Sequence, residues 1–299
     1  WRMIFVVQAP LLVGAAALAW YLLPQTTRMK NVKFDVKGSV TLGLGATLFL
    51  LAVNRGHSWG WTSPPILFFA VISIVSLWLF IRFERAAEAP LMPLKWLRTP
   101  NIILPIAIQA LLNFAYMGGF IVVPQMLEIG LGYSASHVGW LIIARPLAFS
   151  ITAPLASFFT MRAGERKSGV IGACGVIASM LILSNMASGS SDLLVVLGLG
   201  LSGIGFGIAA PALTALVSNA VDDETIGVAG AMQQLLSQMG AVLGSTVMIS
   251  VHEMTVGSTT VVRSYGIALL FGAGTATAAA LLASRLTPTD RSAEAMAAN

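Results

Sequence analysis

Nine stretches of mostly apolar residues follow one another along the chain, and each is long enough to cross a bilayer as a helix of about 20 residues. Only 10% of the 299 residues are charged, whereas roughly 25% is usual in a soluble domain. A soluble fold would therefore expose a largely apolar surface to water. The pattern predicts an all-α, polytopic membrane protein with about nine spans, at residues 3–23, 36–53, 64–82, 101–125, 136–159, 168–187, 192–219, 225–250 and 264–285.

Most of the 17 basic residues lie on one side of the predicted membrane. The loops near 24–37, 83–100 and 160–168, together with the C-terminal segment, carry most of them. The opposite side has only Arg2, Arg55 and Arg263, and Arg145 lies inside a predicted helix. The positive-inside rule therefore predicts that the basic loops and the C-terminus are cytoplasmic in a multi-pass plasma (inner) membrane protein.

The composition also argues against several classes of function. The net charge of +5 does not come from a basic patch interleaved with aromatic residues, so a nucleic-acid partner is not expected. Cys174 is the single cysteine, which excludes a disulfide framework or a cysteine-based metal site within the chain. No catalytic pair of Ser and His, Asp and Asp, or His and Glu is predicted at membrane depth. We therefore expect neither an enzyme nor a bound metal or cofactor.

Several segments carry motifs in a recognisable order. They are WRMIFVVQAP at the start, VPQMLEIGLGYSA at 123–135, Pro154-Leu-Ala through Arg162-Ala-Gly-Glu-Arg166, Gly205-Phe-Gly207 with Pro211 and Leu213-Thr-Ala215, and Gly227-Val-Ala229 followed by Gln238-Met-Gly240-x-x-x-Gly244. Together they resemble the fourteen-helix drug/proton antiporter branch of the major facilitator superfamily, often called the EmrB/QacA type. The resemblance covers nearly the whole chain as the last nine of the fourteen helices.

The resemblance implies a transporter made of two six-helix bundles with two further helices between them. Residues 1–24 would then be the last helix of the first bundle and 25–100 the linker pair with its loops. Residues 101–285 would form the C-terminal six-helix bundle, and 286–299 a cytoplasmic tail. Because Trp1-Arg2 is not a translation start, we expect an incomplete transporter whose N-terminal half lies upstream.

The function implied by the resemblance is secondary active transport by alternating access. The expected partners are a small-molecule substrate, protons, the bilayer and the missing N-terminal half. The expected substrates are amphipathic or cationic drugs and related compounds, exported in exchange for protons. Export of a lipid or lipid-like substrate is the alternative within this class. A non-transporting remnant or regulatory membrane module is the alternative outside it.

Arg145 is the sharpest single feature, because it is the one ionisable residue near the centre of a predicted span. A charge at that depth costs at least about 2.5 to 3.5 kcal/mol on insertion scales, so it needs a polar cavity or a partner. One interpretation is contact with an anionic substrate group or with a carboxylate of the missing half. The other is a structural arginine that donates to carbonyls of neighbouring helices.

Two sets of polar residues lie at helical spacing within predicted spans. Gln109, Asn113 and Tyr116 share one face of the helix at 101–125, and Gln234 and Gln238 share a face of the helix at 225–250. Amides and a phenol suit a substrate path for varied polar groups. Polar side chains also join helices in membranes, so both interpretations stay open. The glycine pairs Gly203/Gly207 and Gly240/Gly244 are predicted to serve helix packing.

The cytoplasmic turn at Arg162, Gly164 and Arg166 matches a family loop in which conformational latching is expected. Ser157 and Met161 depart from its pattern, and positive charge that only sets topology is the alternative. Three acids, Asp222, Asp223 and Glu224, precede the next helix, where they suit helix capping or a salt-bridge gate.

Proton coupling requires a titratable group whose access alternates, and none of the 12 acidic residues is predicted at mid-membrane. The coupling carboxylate is therefore most simply assigned to the missing half. Glu128 and Glu253, at external helix ends, are the candidates within this chain.

Overall fold

The computed structural model describes residues 2–22, 35–87, 92–187 and 189–287, and within these ranges the chain forms helices and no strand. The basic residues Arg28, Lys30, Lys33 and Arg291, and residues 288–299 of the predicted tail, lie outside the described residues. Nine segments of the described chain are long and apolar enough to cross a membrane. They match the nine predicted stretches one for one, with ends shifted by a few residues. The predicted all-α, multi-pass fold is confirmed.

The chain divides into two units, residues 1–34 and 35–299. The first contains helix α1, Arg2–Leu22, which has a proline at position 10. Wherever its side chains are described, α1 is exposed.

The second unit begins with a helical hairpin, α2 (Val36–Trp59) and α3 (Pro64–Ala86). Asp35 caps α2 by accepting a hydrogen bond from the Gly38 N–H at 2.9 Å. The buried Ser73 hydroxyl of α3 donates to the Gly45 carbonyl of α2 at 2.8 Å. A short 3₁₀ turn, Leu94–Arg98, then leads into the next helix.

Seven further helices complete the second unit: α4 (Pro100–Gln125), α5 (Ala135–Ile142), α6 (Ala144–Ala163), α7 (Glu165–Ser184), α8 (Asp192–Asn219), α9 (Ile226–Thr255) and α10 (Val261–Ala283). A π-helical turn, Met126–Gly130, extends α4, and a 3₁₀ turn, Asp223–Thr225, precedes α9. The main contacts join α7 to α8, α4 to α9, and α6 to α8, while α10 packs on α7 and α4.

The span at 135–163 is broken in the middle, which differs from the continuous helix predicted at 136–159. Helix α5 ends at Ile142 and α6 begins at Ala144. Pro146 explains the break, since it has no N–H to donate to the Ile142 carbonyl and its ring crowds that carbonyl. Arg145 is therefore the second residue of a new helix.

Glycines lie at the closest helix contacts, as predicted for Gly203/Gly207 and Gly240/Gly244. A methyl group at Gly240 or Gly244 of α9 would overlap the backbone of α4, at Ala110 and Phe114 respectively. A methyl group at Gly203 of α8 would overlap the backbone of α6. These contacts bring the backbones together without a side chain between them, which is how helices associate in lipid.

Candidate functional site

The guanidinium of Arg145 on α6 is buried against α4. Its side chain is 1% exposed, and Nη1 donates to the backbone carbonyl of Tyr116 on α4 at 2.9 Å. The guanidinium carbon lies 5.0 Å from the centre of the Tyr116 ring, a separation at which a cation is attracted to an aromatic face. The Tyr116 ring also stacks on Phe206 of α8, with ring centroids 4.6 Å apart and planes at 16°.

The rest of the Arg145 guanidinium has no hydrogen-bond partner among the described residues. Nε and Nη2 are both buried and unpaired, and within the same residues Arg145 forms no ion pair. Nη2 lies only 3.3 Å from where a methyl group on Gly119 would stand, so the glycine makes room for it. A buried and incompletely paired charge is energetically unfavourable, and a further hydrogen-bond acceptor would lower that cost.

A second polar cluster, which we call the seam, joins α4 to α9. The Asn113 side-chain amide donates to the Ser237 carbonyl and lies 3.0 Å from the Ser237 hydroxyl. One turn away, the Gln233 amide donates to Gln109 Oε1 at 2.6 Å and to the Thr214 hydroxyl of α8 at 3.1 Å. Asn113, Gln233 and Ser237 are all buried. The seam therefore consists of neutral side chains that hydrogen-bond each other across two helices, with Thr214 of a third at its edge.

The structure divides the polar residues predicted for a substrate path. Gln109 and Asn113 lie in the seam, and Tyr116 lies beside Arg145. Gln234 and Gln238 are exposed, on a different face of α9 from the seam. Their neighbours Gln233 and Ser237 lie in the seam instead, a role that was not predicted from the sequence. Adjacent glutamines at 233 and 234 were the available signal, although helical spacing alone does not say which one faces α4.

The turn between α6 and α7 reverses at Gly164. Gly164 has a φ of 84° and is both the C-cap of α6 and the N-cap of α7. Arg162 and Arg166 are exposed, whereas Glu165 between them is buried, with Oε2 unpaired among the described residues. The sequence pattern of this turn does not indicate that Glu165 is buried.

The acids before α9 are exposed. Asp222 makes no side-chain cap hydrogen bond, although its backbone carbonyl accepts from the N–H of Thr225 at 2.9 Å. Its pocket neighbours include Lys95, Trp96 and Thr99 of the segment that enters α4, in a pocket of about 310 Å³. The structure thus places Asp222 beside the start of α4.

The two acids considered for proton coupling lie at the ends of their spans. Glu128 is exposed in the π-helical turn. Glu253 is exposed near the end of α9 and lines a pocket of about 320 Å³ with Asn54 and Ser58 of α2. The preceding residue, His252, stacks on Tyr265 with ring centroids 3.6 Å apart.

The start of α5 contacts the start of α8. His137 Nε2 lies 2.8 Å from a carboxylate oxygen of Asp192, and the His137 ring stacks on Tyr133. The pKa of the Tyr133 phenol is raised, first by burial and then by its hydrogen bond and charge interaction with Asp192. The phenol therefore stays protonated and is able to donate a hydrogen bond.

The fold and these sites define an integral, multi-pass α-helical membrane protein. Its helices pack through glycine contacts and enclose a cation at membrane depth. The chain belongs to the Major Facilitator Superfamily, whose family model matches residues 1–245 and 106–299. This confirms the superfamily of the predicted resemblance.

Relatives of this chain include proteins named for drug resistance. It is 28% identical over 251 residues to the multidrug resistance protein Stp of Mycobacterium tuberculosis, covering 84% of this chain and 47% of that protein. The tetracenomycin C resistance and export protein of Streptomyces glaucescens is 27% identical, covering 83% and 46%. The quinolone resistance protein NorB of Staphylococcus aureus is 27% identical, covering 92% and 60%. The chain spans about half the length of the first of these relatives.

Proposed function

We propose that this chain is part of a secondary active exporter that moves amphipathic or cationic organic compounds outward in exchange for protons. Membership of the Major Facilitator Superfamily and similarity to proteins named for multidrug and antibiotic resistance support transport over enzymatic chemistry. Because the chain spans about half of its first relatives, we assign the complete activity to this chain together with a further helix bundle. That division is the one expected for the fourteen-helix branch.

Arg145 is the observation that carries the proposal. A packed protein gains no stability from two buried guanidinium nitrogens without acceptors, and such a residue is expected to be replaced by an apolar one unless it has a function. A transporter supplies that function, because alternating access changes what faces the cavity. In another conformation the free Nε and Nη2 groups would meet an anionic substrate group or a carboxylate of the further bundle.

Gln234 and Gln238 support a polar path on the α9 surface. Both are exposed although both lie within the candidate span Asp223–Thr255. An exposed amide is unfavourable against lipid and favourable against water or a polar partner. We therefore place the cavity on this face of α9 and keep Gln109 and Asn113 as its supporting seam.

The remaining assignments follow the same proposal. Residues 1–24 end one bundle, 25–100 form the linker pair, 101–285 form the second bundle and 286–299 the tail. The basic loops and the C-terminus face the cytoplasm of the inner membrane, as the positive-inside rule favours. Arg162, Gly164 and Arg166 then form a cytoplasmic latch, with Asp222, Asp223 and Glu224 on the same side.

Transport in everted membrane vesicles tests the proposal. Vesicles containing the protein should accumulate a fluorescent cationic drug when a proton gradient is imposed, and a protonophore should abolish the accumulation. Arg145→Ala should be inserted normally but fail to transport, and Arg145→Lys should show whether charge alone suffices. Accumulation that persists after the gradient collapses would contradict proton exchange.

The two candidate coupling acids require a separate measurement. Glu253→Gln and Glu128→Gln are compared for gradient-driven uptake and for exchange of labelled against unlabelled drug at equal pH. A coupling residue should lose uptake and keep exchange, since exchange needs no proton transfer. If both variants keep uptake, the coupling carboxylate lies elsewhere in the transporter.

A further inference from the structure

A basic pocket lies where α3 ends and the chain enters α4, apart from the residues around Arg145. Its volume is about 680 Å³, and it joins the last two turns of α3 to the 3₁₀ turn at Leu94–Arg98. Three of the lining side chains are basic and three are aliphatic: Arg85, Lys95 and Arg98, with Ile81, Leu94 and Leu97.

The basic side chains of the pocket have no counter-ion among the described residues. Arg85, Lys95 and Arg98 are exposed and make no ion pair with those residues. Like charges gathered in one pocket repel each other, and a bound anion would relieve that repulsion. Lys95 also lines the neighbouring pocket that contains Asp222, so Arg85 and Arg98 are the cations without an acidic residue in their lining.

The nearest acid along α3 serves a different purpose. Glu84 is buried, and its Oε1 accepts a hydrogen bond from the Met92 N–H at 2.5 Å. The bond ties the segment after α3 back to the end of that helix. Glu84 thereby links the segment after α3 to that helix, and within the described part of the chain it forms no ion pair with the basic side chains of the pocket.

The position of the pocket matches the boundary between lipid headgroups and acyl chains. Arg85 is in the last turn of the span Pro64–Ala86, and Arg98 stands two residues before the span Pro100–Gly130. Ile81 lies one helical turn deeper than Arg85 and is 41% exposed, and Leu97 is 43% exposed. The pocket is therefore basic at headgroup level, with exposed aliphatic side chains next to the basic ones.

We propose that this pocket binds an anionic phospholipid. The Arg85 and Arg98 guanidiniums hold its phosphate oxygens, with Lys95 as a third positive charge, and Ile81 and Leu97 contact its acyl chains. Inorganic phosphate shares the headgroup chemistry but has no chain to cover the exposed aliphatic side chains, so the lipid is the occupant. The site does not depend on which substrate the protein exports.

Native mass spectrometry of the detergent-purified protein tests the site. The protein is titrated with phosphatidylglycerol and, separately, with phosphatidylcholine, and Arg85→Gln/Arg98→Gln is compared with the wild type. Arg82→Gln is the matched control, because Arg82 is on the same helix but lies over the Trp78 ring outside the pocket. Each lost basic residue should weaken phosphatidylglycerol binding about fivefold, equivalent to about 1 kcal/mol.

The expected result is preferential binding of phosphatidylglycerol that falls about 25-fold in the double variant, an estimate that adds the two basic residues. Binding should change less than about twofold in Arg82→Gln. Equal losses in the double variant and in Arg82→Gln would overturn the site in favour of general charge attraction, and no loss in the double variant would overturn it directly. Displacement of the lipid by millimolar inorganic phosphate would overturn the lipid as occupant.

Discussion

Two polar regions are adjacent along α4: the seam with α9, and the contact between Tyr116 and Arg145 of α6. They differ in how far their polar groups are hydrogen-bonded. Asn113 and Gln233 are neutral and donate to partners across the helix contact. Arg145 is charged and leaves two donor groups unpaired among the described residues. Neutral hydrogen bonds between helices stabilise a membrane bundle modestly, whereas an unpaired charge destabilises it. We therefore expect the seam to stabilise the bundle and Arg145 to act in transport.

The largest effect on transport is expected at Arg145. Arg145→Leu should reduce drug uptake to below about one per cent of wild type, a loss of roughly 2.7 kcal/mol in the transport barrier. Thermal stability in detergent should stay unchanged or rise by about 1 kcal/mol, because an incompletely paired charge has been removed. Uptake in vesicles and the midpoint of thermal unfolding measure the two effects.

Arg145→Lys is the companion variant, since it keeps the charge and removes the planar fork. A large drop in stability for Arg145→Leu, with transport surviving in proportion to folded protein, would make Arg145 a structural residue like those of the seam.

The largest effect on stability is expected at the glycine contact that brings the seam together. Gly244→Ala places a methyl group against the Phe114 carbonyl, a backbone atom that cannot move aside alone. Overpacking of this kind should destabilise the bundle by about 3 kcal/mol. Gly230→Ala on the same helix meets nothing within 4 Å and is the control. Thermal unfolding of both variants in detergent is the measurement. Equal midpoints would show that the close contact at Gly244 does not contribute to stability.

A smaller loss of stability is expected within the seam itself. Asn113→Ala should cost about 0.5 to 2 kcal/mol, the usual range for interhelical hydrogen bonds in membranes. Combining it with Ser237→Ala gives a double-mutant cycle, in which the two changes should be less than additive if the hydroxyl contact matters. Full additivity would leave the Ser237 backbone carbonyl as the sole partner. Transport by Asn113→Ala should fall only in step with the amount of folded protein.

The smallest effect on stability is expected at Gln234, which separates it from the adjacent Gln233. Gln234→Ala should change stability by less than about 0.5 kcal/mol, as for other exposed positions, whereas Gln233→Ala removes the partner of Gln109. Cysteine labelling sharpens the contrast once the exposed native Cys174 is replaced by serine. Cysteine at 234 should react with an aqueous reagent and cysteine at 233 should not. Protection of both would contradict a cavity on the Gln234 face of α9.

The nine spans could be predicted from the sequence because lipid leaves few options for the backbone. Each crossing has to satisfy its own N–H and C=O groups, so length and apolar composition reveal the helices directly. The break before Arg145 was not predicted, although Pro146 is visible in the sequence. Many membrane helices carry proline without dividing, as α4 does at Pro105, and the surrounding packing decides the outcome.

The position of Arg145 within its span could be predicted from the sequence, but its hydrogen-bond partner could not. A single arginine within an apolar stretch is rare, so Arg145 is easy to identify as a candidate. Its observed acceptor is the backbone carbonyl of Tyr116, and every residue has a carbonyl, so no pattern could single that one out. On α9 the seam is formed by Gln233 and Ser237, each next to a predicted glutamine, because helical spacing defines a set of faces but not which face meets α4.

The interruption between α5 and α6 affects how easily the chain can bend next to Arg145. In lipid, bending an intact helix sharply requires breaking a backbone hydrogen bond, which costs several kcal/mol. At Pro146 one such bond is already missing. The two halves of this span can therefore swing about Ile143 with the smallest loss of hydrogen bonding, and any swing there would carry the guanidinium at residue 145 toward or away from the Tyr116 carbonyl.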